Sequence, residues 1–291
     1  MSFWGLSRNG LIGSFSYMLP ELAEGEAHGE IAAIYSELRT LCGVPYVSSM
    51  QRHLATRPGW LEWAWRAVAP AFRSGLGQSA AWEAARDDTD FLPALPKLDH
   101  ESLITLGVDA KSVEVIRNIC LSFIRVSPLN LMFSGLVRSF LGPANAPAPR
   151  WAGDIVPMPS TLPALPAMVA IGALGADQQR AVRDAFEISV AGQSFVPGLY
   201  RMLAHWPRYL EHLSKVLGPQ TADPQTVRAC EGLCERIDDL VPSVAATLIS
   251  PPLPPDPTAA AEVVSAIERY RVTSPQMVVY SRMIERSLIG L

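Results

Sequence analysis

Charge is scarce in this chain. Lys, Arg, Asp and Glu together supply 18% of the 291 residues, below the quarter usual in soluble domains. Lys and Arg account for only 24 positions and the net charge is −4, so there is no basic stripe for a phosphate backbone and nucleic acid is excluded as a partner. Cysteine is sparse too. Cys42, Cys120, Cys230 and Cys234 form no C-x-x-C and lack the density of a disulfide scaffold, which points to a reducing compartment, the cytoplasm. Cys230 and Cys234, on one helical face, read as apolar filling rather than as a metal or redox pair. The 5 histidines are scattered, and Pro207 separates His205 from His212, so that pair need not share a face. There is no zinc spacing, no Gly-rich phosphate loop, no G-x-S-x-G and no H-E-x-x-H. Neither metal nor cofactor is expected. The longest uncharged run, Ile155 to Ala176, holds Pro157, Pro159, Pro163 and Pro166 and cannot be a regular spanning helix. With Arg8 as its one early basic residue, the N-terminus makes a poor signal peptide. No membrane partner is expected. Period-two alternation is lacking as well, so the fold is read as all-α.

What is present is apolar and repetitive. Apolar residues make up 49% of the chain, compatible with a large core or with an oligomer face such as a homodimer interface. The stretch Leu54-Ala55-Thr56-Arg57-Pro58-Gly59-Trp60-Leu61-Glu62 recurs without a gap as Leu203-Ala204-His205-Trp206-Pro207-Arg208-Tyr209-Leu210-Glu211. Each copy reads as a helix corner in which proline opens a new helix. After the corner, Leu61, Trp65, Val68 and Phe72 recur at helical spacing, as do Leu210, Leu213 and Leu217. At nearly the same offset, Arg125-Val126-Ser127-Pro128 is answered by Arg271-Val272-Thr273-Ser274-Pro275. The sequence therefore predicts two similar helical repeats forming an intramolecular pseudo-dimer with function at their interface. The divisions are an N-terminal arm and first repeat over 1–141, a proline-rich linker over 142–166 and a second repeat over 167–291.

Taken in order, an extended arm is expected over residues 1 to about 20. Helices are expected from Gly29 to Leu41, Ser49 to Ala55, Ala110 to Arg125, Asp177 to Val190, Thr226 to Leu240 and Thr258 to Arg271, the last capped by Asp256. Asp87, Asp88 and Asp90 read as a solvated loop or helix start. Arg52 and Arg201 stand at matching positions of the two copies. They suit either a shared carboxylate or a structural ion pair with a nearby acid. The Ser-Pro steps at Pro128 and Pro275 read as helix starts, Ser capping what Pro opens, where exposed N–H groups could receive an anion.

Gly43-Val44-Pro45-Tyr46, the corner at Pro58, the Arg125-to-Pro128 element and the second corner at Pro207 together resemble the group I 2-haloacid dehalogenases. These all-helical enzymes act on the D- or on both enantiomers. The resemblance runs from about Gly29 to Ile289. It implies two helical repeats with the active site between them. It also implies that an aspartate in the second repeat activates water to displace halide directly, without an ester intermediate. An asparagine before the first-repeat proline positions that water, and aromatic residues after the Val-Pro step wall the pocket. In this chain the aspartate position is Leu199, preceded by Gly198 where the family has serine, and the asparagine position is Ser127. Tyr46 keeps an aromatic, while Ser49 replaces a phenylalanine. Leu199 cannot take a proton from water, and Ala191 to Met202 holds no acid. The substrate-binding positions implied are thus Tyr46, Ser49, Ser127, Gly198 and Leu199, with no catalytic residue assigned. Three readings follow: a protein binding a small organic acid between its repeats, a non-enzymatic protein with a packed cleft, and a dehalogenase with a displaced base.

Overall fold

The structure, a computed structural model, describes residues 19–86, 92–142, 148–190 and 193–288. Helices dominate it. The first part carries α1 (Gly29–Cys42), α2 (Ser49–Leu54), α3 (Trp60–Arg73), α4 (Leu76–Ala85), α5 (His100–Thr105) and the long α6 (Ala110–Leu141). The second carries α7 (Ala176–Phe186), strands β1 (Ile188–Val190) and β2 (Gln193–Phe195), α8 (Gly198–Leu203), α9 (Pro207–Val216), α10 (Pro224–Ala245) and α11 (Ala260–Ser287). The all-α class holds.

Local chemistry explains most boundaries. In α1 the buried Ile34, Tyr35, Leu38 and Cys42 recur every three or four residues. Gly43 at φ 62° then turns the chain into the left-handed region, and the Gly43 and Val44 amides close onto the Thr40 and Arg39 carbonyls. Asp109 caps α6 through the Ser112 amide, Asp223 caps α10, and Asp256 accepts from the Thr258 amide as expected. Pro207 opens α9. The first corner differs: Gly59, at φ 77°, intervenes after Pro58 and α3 starts only at Trp60.

The structure corrects the sequence reading at three further places. Pro128 and Pro275 do not open helices but lie inside α6 and α11. A proline in a helix interior removes the N–H that its i−4 carbonyl needs, and tertiary neighbours compensate here. Cys234 Sγ sits 3.7 Å from the Arg271 carbonyl oxygen that Pro275 leaves without its amide. On α6, Pro128 withholds its amide from the Ile124 carbonyl, and Trp82 Nε1 donates to the next carbonyl, that of Arg125, at 2.9 Å. With neither Ser-Pro step at a helix end, the anion sites imagined there do not exist. Second, the helix expected to reach Val190 ends at Phe186, and an antiparallel hairpin follows, pairing Ile188 with Phe195 and Ser189 with Ser194. The β-branched Ile188 and Val190 favour extended backbone, but the alternation is too short to stand out. Third, α4 and α5 join the expected helices. The acidic cluster Asp87, Asp88 and Asp90 and the arm over 1–18 lie outside the described residues.

Helix α6 is the central element, packing on α11 most extensively and also on α10 and α4. It is long and apolar enough to cross a membrane, yet 78% of its most apolar window is buried inside the protein. Its middle, Val126 to Val137, joins a core with α1, α3, α4 and α10. Its earlier part, Ile116 to Phe123, joins another with α8, α9 and the end of α11. The expected linker is extended over 148–170 and tied down along its length. Trp151 N–H donates to Ser243 O, Val156 N–H to Ser79 Oγ, Leu162 N–H to Gly43 O and Val169 N–H to Arg201 O.

Candidate functional site

A cavity of about 110 Å³ opens where α2, α6, α8, α11, β2 and the extended segment meet. Tyr46, Ser49, Ser127 and Gly198 line it, as the sequence reading proposed. Leu199 is not among the lining residues; it is fully buried in the core shared with α9 and α11. One residue's rotation around α8 separates the two: Gly198 presents its backbone to the cavity, and Leu199 points into packed side chains.

The apolar wall comes from Phe123, Val126, Met168, Val196 and Met277. Tyr46 and Phe123 rings lie 6.0 Å apart and tilted. Burial pushes the Tyr46 hydroxyl well above the ordinary phenol range, so it stays protonated and cannot serve as a base near neutrality. Gly198 is small for a reason visible in the packing: a Cβ there would stand 2.9 Å from Met168 Cε and 3.4 Å from Phe123 Cζ.

The polar side was largely hidden from sequence reading. Asn130 lies one helical turn beyond Ser127 and also lines the cavity. Its Nδ2 donates to Ser48 Oγ at 3.0 Å, and its Oδ1 accepts from Gln51 Nε2 at 3.1 Å. Reading Pro128 as intrahelical is the signal that would have found it.

Glu21 is the second such residue, and it belongs to an irregular segment that no periodicity marks. Three hydrogen bonds pin that segment on α1 and α2. His53 Nδ1 meets the Pro20 carbonyl at 2.8 Å, the Leu22 amide donates to Arg52 O at 3.0 Å, and the Tyr35 hydroxyl donates to Leu22 O at 3.1 Å. The Glu21 carboxylate pairs with Arg52 Nη2 at 2.5 Å, and the same guanidinium nitrogen reaches Ser49 Oγ at 3.3 Å.

Arg201 and Arg269 line the cavity as well. Arg201 Nε donates to Val169 O at 3.3 Å. Burial lowers the Arg201 pKa, Glu21 opposes that effect, and Arg52 adds to it. The matching arginines of the two copies thus lie within one another's field, and an acid lies in the same field. Tyr270, also lining, has its hydroxyl pKa raised first by burial and then by Glu21, with Arg52 and Arg269 pulling the other way. Among the described lining residues the charged groups are thus Arg201, Arg269 and Glu21, while the opposite wall is apolar. Such a pairing orients a small amphipathic anion.

No family model matches the chain. Over 113 residues it is 32% identical to a configuration-inverting 2-haloacid dehalogenase of Alcaligenes xylosoxydans xylosoxydans, a stretch covering 39% of this chain and 38% of that protein. The match therefore spans under two-fifths of that relative. In three dimensions the likeness is far wider. A D-2-haloacid dehalogenase in complex with L-LA superposes with a TM-score of 0.68 at 18% identity, covering 94% of this chain and 97% of that one. A mutant D-2-haloacid dehalogenase with D-2-CPA gives 0.66 at 18% identity over 94% and 96%. At that identity the superposition speaks for the fold. In fold over nearly its whole length this chain is similar to D-2-haloacid dehalogenases, and over 113 residues it is similar in sequence to a configuration-inverting 2-haloacid dehalogenase.

Proposed function

We propose that this protein binds a small 2-substituted carboxylic acid, such as a 2-haloacid, in the cavity between its two halves. One observation carries the reading: the space bordered by Tyr46, Ser49, Ser127 and Gly198 is open, and arginines line it. An open space of this kind supports binding, whereas Leu199 packed in the core with Leu203 is what the packed-cleft alternative expects. The arginine side takes the carboxylate, and the thioether and aromatic wall takes the substituent. Hydrolysis by the route of the resembling enzymes has no acid at Leu199, which is buried in the core.

Calorimetric titration with 2-chloropropionate, propionate and the neutral propionamide tests this. Saturable binding of the two anions and none of the amide is expected. Arg201→Gln removes a charge-assisted contact of about 1.5–3 kcal/mol, weakening the anions by about tenfold or more. No heat from either anion at tens of millimolar would discard the proposal.

A further inference from the structure

We propose that Glu21 is the general base of a hydrolytic dehalogenation in this cavity, standing in for the acid absent at Leu199. The inference rests on the binding reading above and goes beyond it. Among the described residues that line the cavity, Glu21 is the single acid. Its placement is built rather than incidental: the residues on either side of it are hydrogen-bonded to His53, Arg52 and Tyr35, which fixes the backbone that carries it. One carboxylate oxygen, Oε2, pairs with Arg52. A carboxylate has two oxygens, and one paired with a guanidinium leaves the other with lone pairs that can take a water proton.

The charges fit the reaction. The substrate carboxylate lies against Arg201 and Arg269, which shields it from Glu21, and the apolar wall receives the halogen. Water, donating a hydrogen bond to Glu21 Oε1, attacks C2 from the face opposite the halogen. The C–O bond forms as the C–halogen bond breaks, and halide leaves with the bonding pair. The proton lost by water passes to Glu21 and then to solvent. The products are a 2-hydroxy acid of inverted configuration, halide and a proton, so no oxidant or second substrate is required.

Halide release from each enantiomer of 2-chloropropionate and 2-bromopropionate, measured beside calorimetric binding, decides the matter. The full-length protein should release halide from at least one enantiomer with an acid limb in its pH–rate profile. Glu21→Gln should lower the rate at least about a hundredfold, as loss of a general base does, while still binding the acid. Glu21→Asp should retain a slower rate with the acid limb intact. Binding without halide release by the unaltered protein overturns the role of Glu21 and leaves the binding proposal standing, whereas absence of binding removes both. Undiminished turnover in Glu21→Gln overturns the role outright. If that variant does not fold, Glu21→Asp at full rate, or a profile lacking the acid limb, does the same.

Discussion

Gly198 and Met168 are fitted to one another: a Cβ on the glycine would stand 2.9 Å from the methionine's terminal methyl. The contact joins α8 to the extended segment over 148–170, at the cavity wall.

Gly198→Ser should therefore push aside the flexible end of Met168, not backbone, at about 1 kcal/mol of overpacking. Met168→Ala should relieve that and enlarge the cavity, so that acids one or two methylenes longer bind more tightly. Thermal melts and titrations of both single variants and the double variant check it; unchanged chain-length preference in Met168→Ala would show that Met168 does not set the cavity's size.

At the crossing of α6 and α10, a Cβ on Gly135 would meet Val241 Cγ2 at 2.5 Å. Both residues sit in the core, where neither helix can retreat without opening other contacts. Gly135→Ala should cost about 2 kcal/mol, and Val241→Ala in the same chain should recover part of it. Urea unfolding of the cycle measures the coupling. Additive costs would mean that the helices separate freely.

Arg271, with 6% of its side chain exposed, ties α11 to Leu131 O and Ser134 Oγ of α6 and to Asp238 of α10. Asp238 is 46% exposed and can return to water. Truncation should thus be asymmetric: about 3 kcal/mol lost for Arg271→Met, which strips several buried acceptors, and about 1 kcal/mol for Asp238→Asn. Equal losses in denaturant melts would contradict the asymmetry.

His53 gives the protein an acid sensitivity of definite sign. Its Nδ1 donates to the Pro20 carbonyl, its Nε2 is buried without a partner, and burial lowers its pKa, with Arg57 and Arg269 adding to that and the Pro20 carbonyl opposing. A histidine depressed in the folded state contributes stability that is complete above its unfolded value of about 6.5 and lost as pH falls through the lower folded value. Between about pH 7.5 and 5 the melting temperature should fall more steeply for the native protein than for His53→Gln. Parallel slopes would rule this out.

Much of the helical frame was readable in advance because it rests on local rules. The spacing of Ile34, Tyr35 and Leu38, the glycine at 43, the caps at Asp256 and the proline at 207 each act within a turn of their own position. The two Ser-Pro steps were misread because the same pair either caps a helix or sits within one. The choice depended on distant groups: Cys234 meets the Arg271 carbonyl that Pro275 leaves open, and Trp82 bonds the Arg125 carbonyl beside the one Pro128 leaves open. Asn130 went unnoticed as a direct result.

By itself, then, the sequence determined the helical class, most helix boundaries and the absence of an acid between Ala191 and Met202, since periodicity, capping and composition are properties of neighbouring residues. Only the tertiary structure decided that Leu199 turns into the core, that Met168 closes on Gly198, and that Glu21 meets Arg52 beside Ser49 and Ser127. Those meetings join residues far apart in the chain, and a cavity's chemistry is set by what the packing brings together in space.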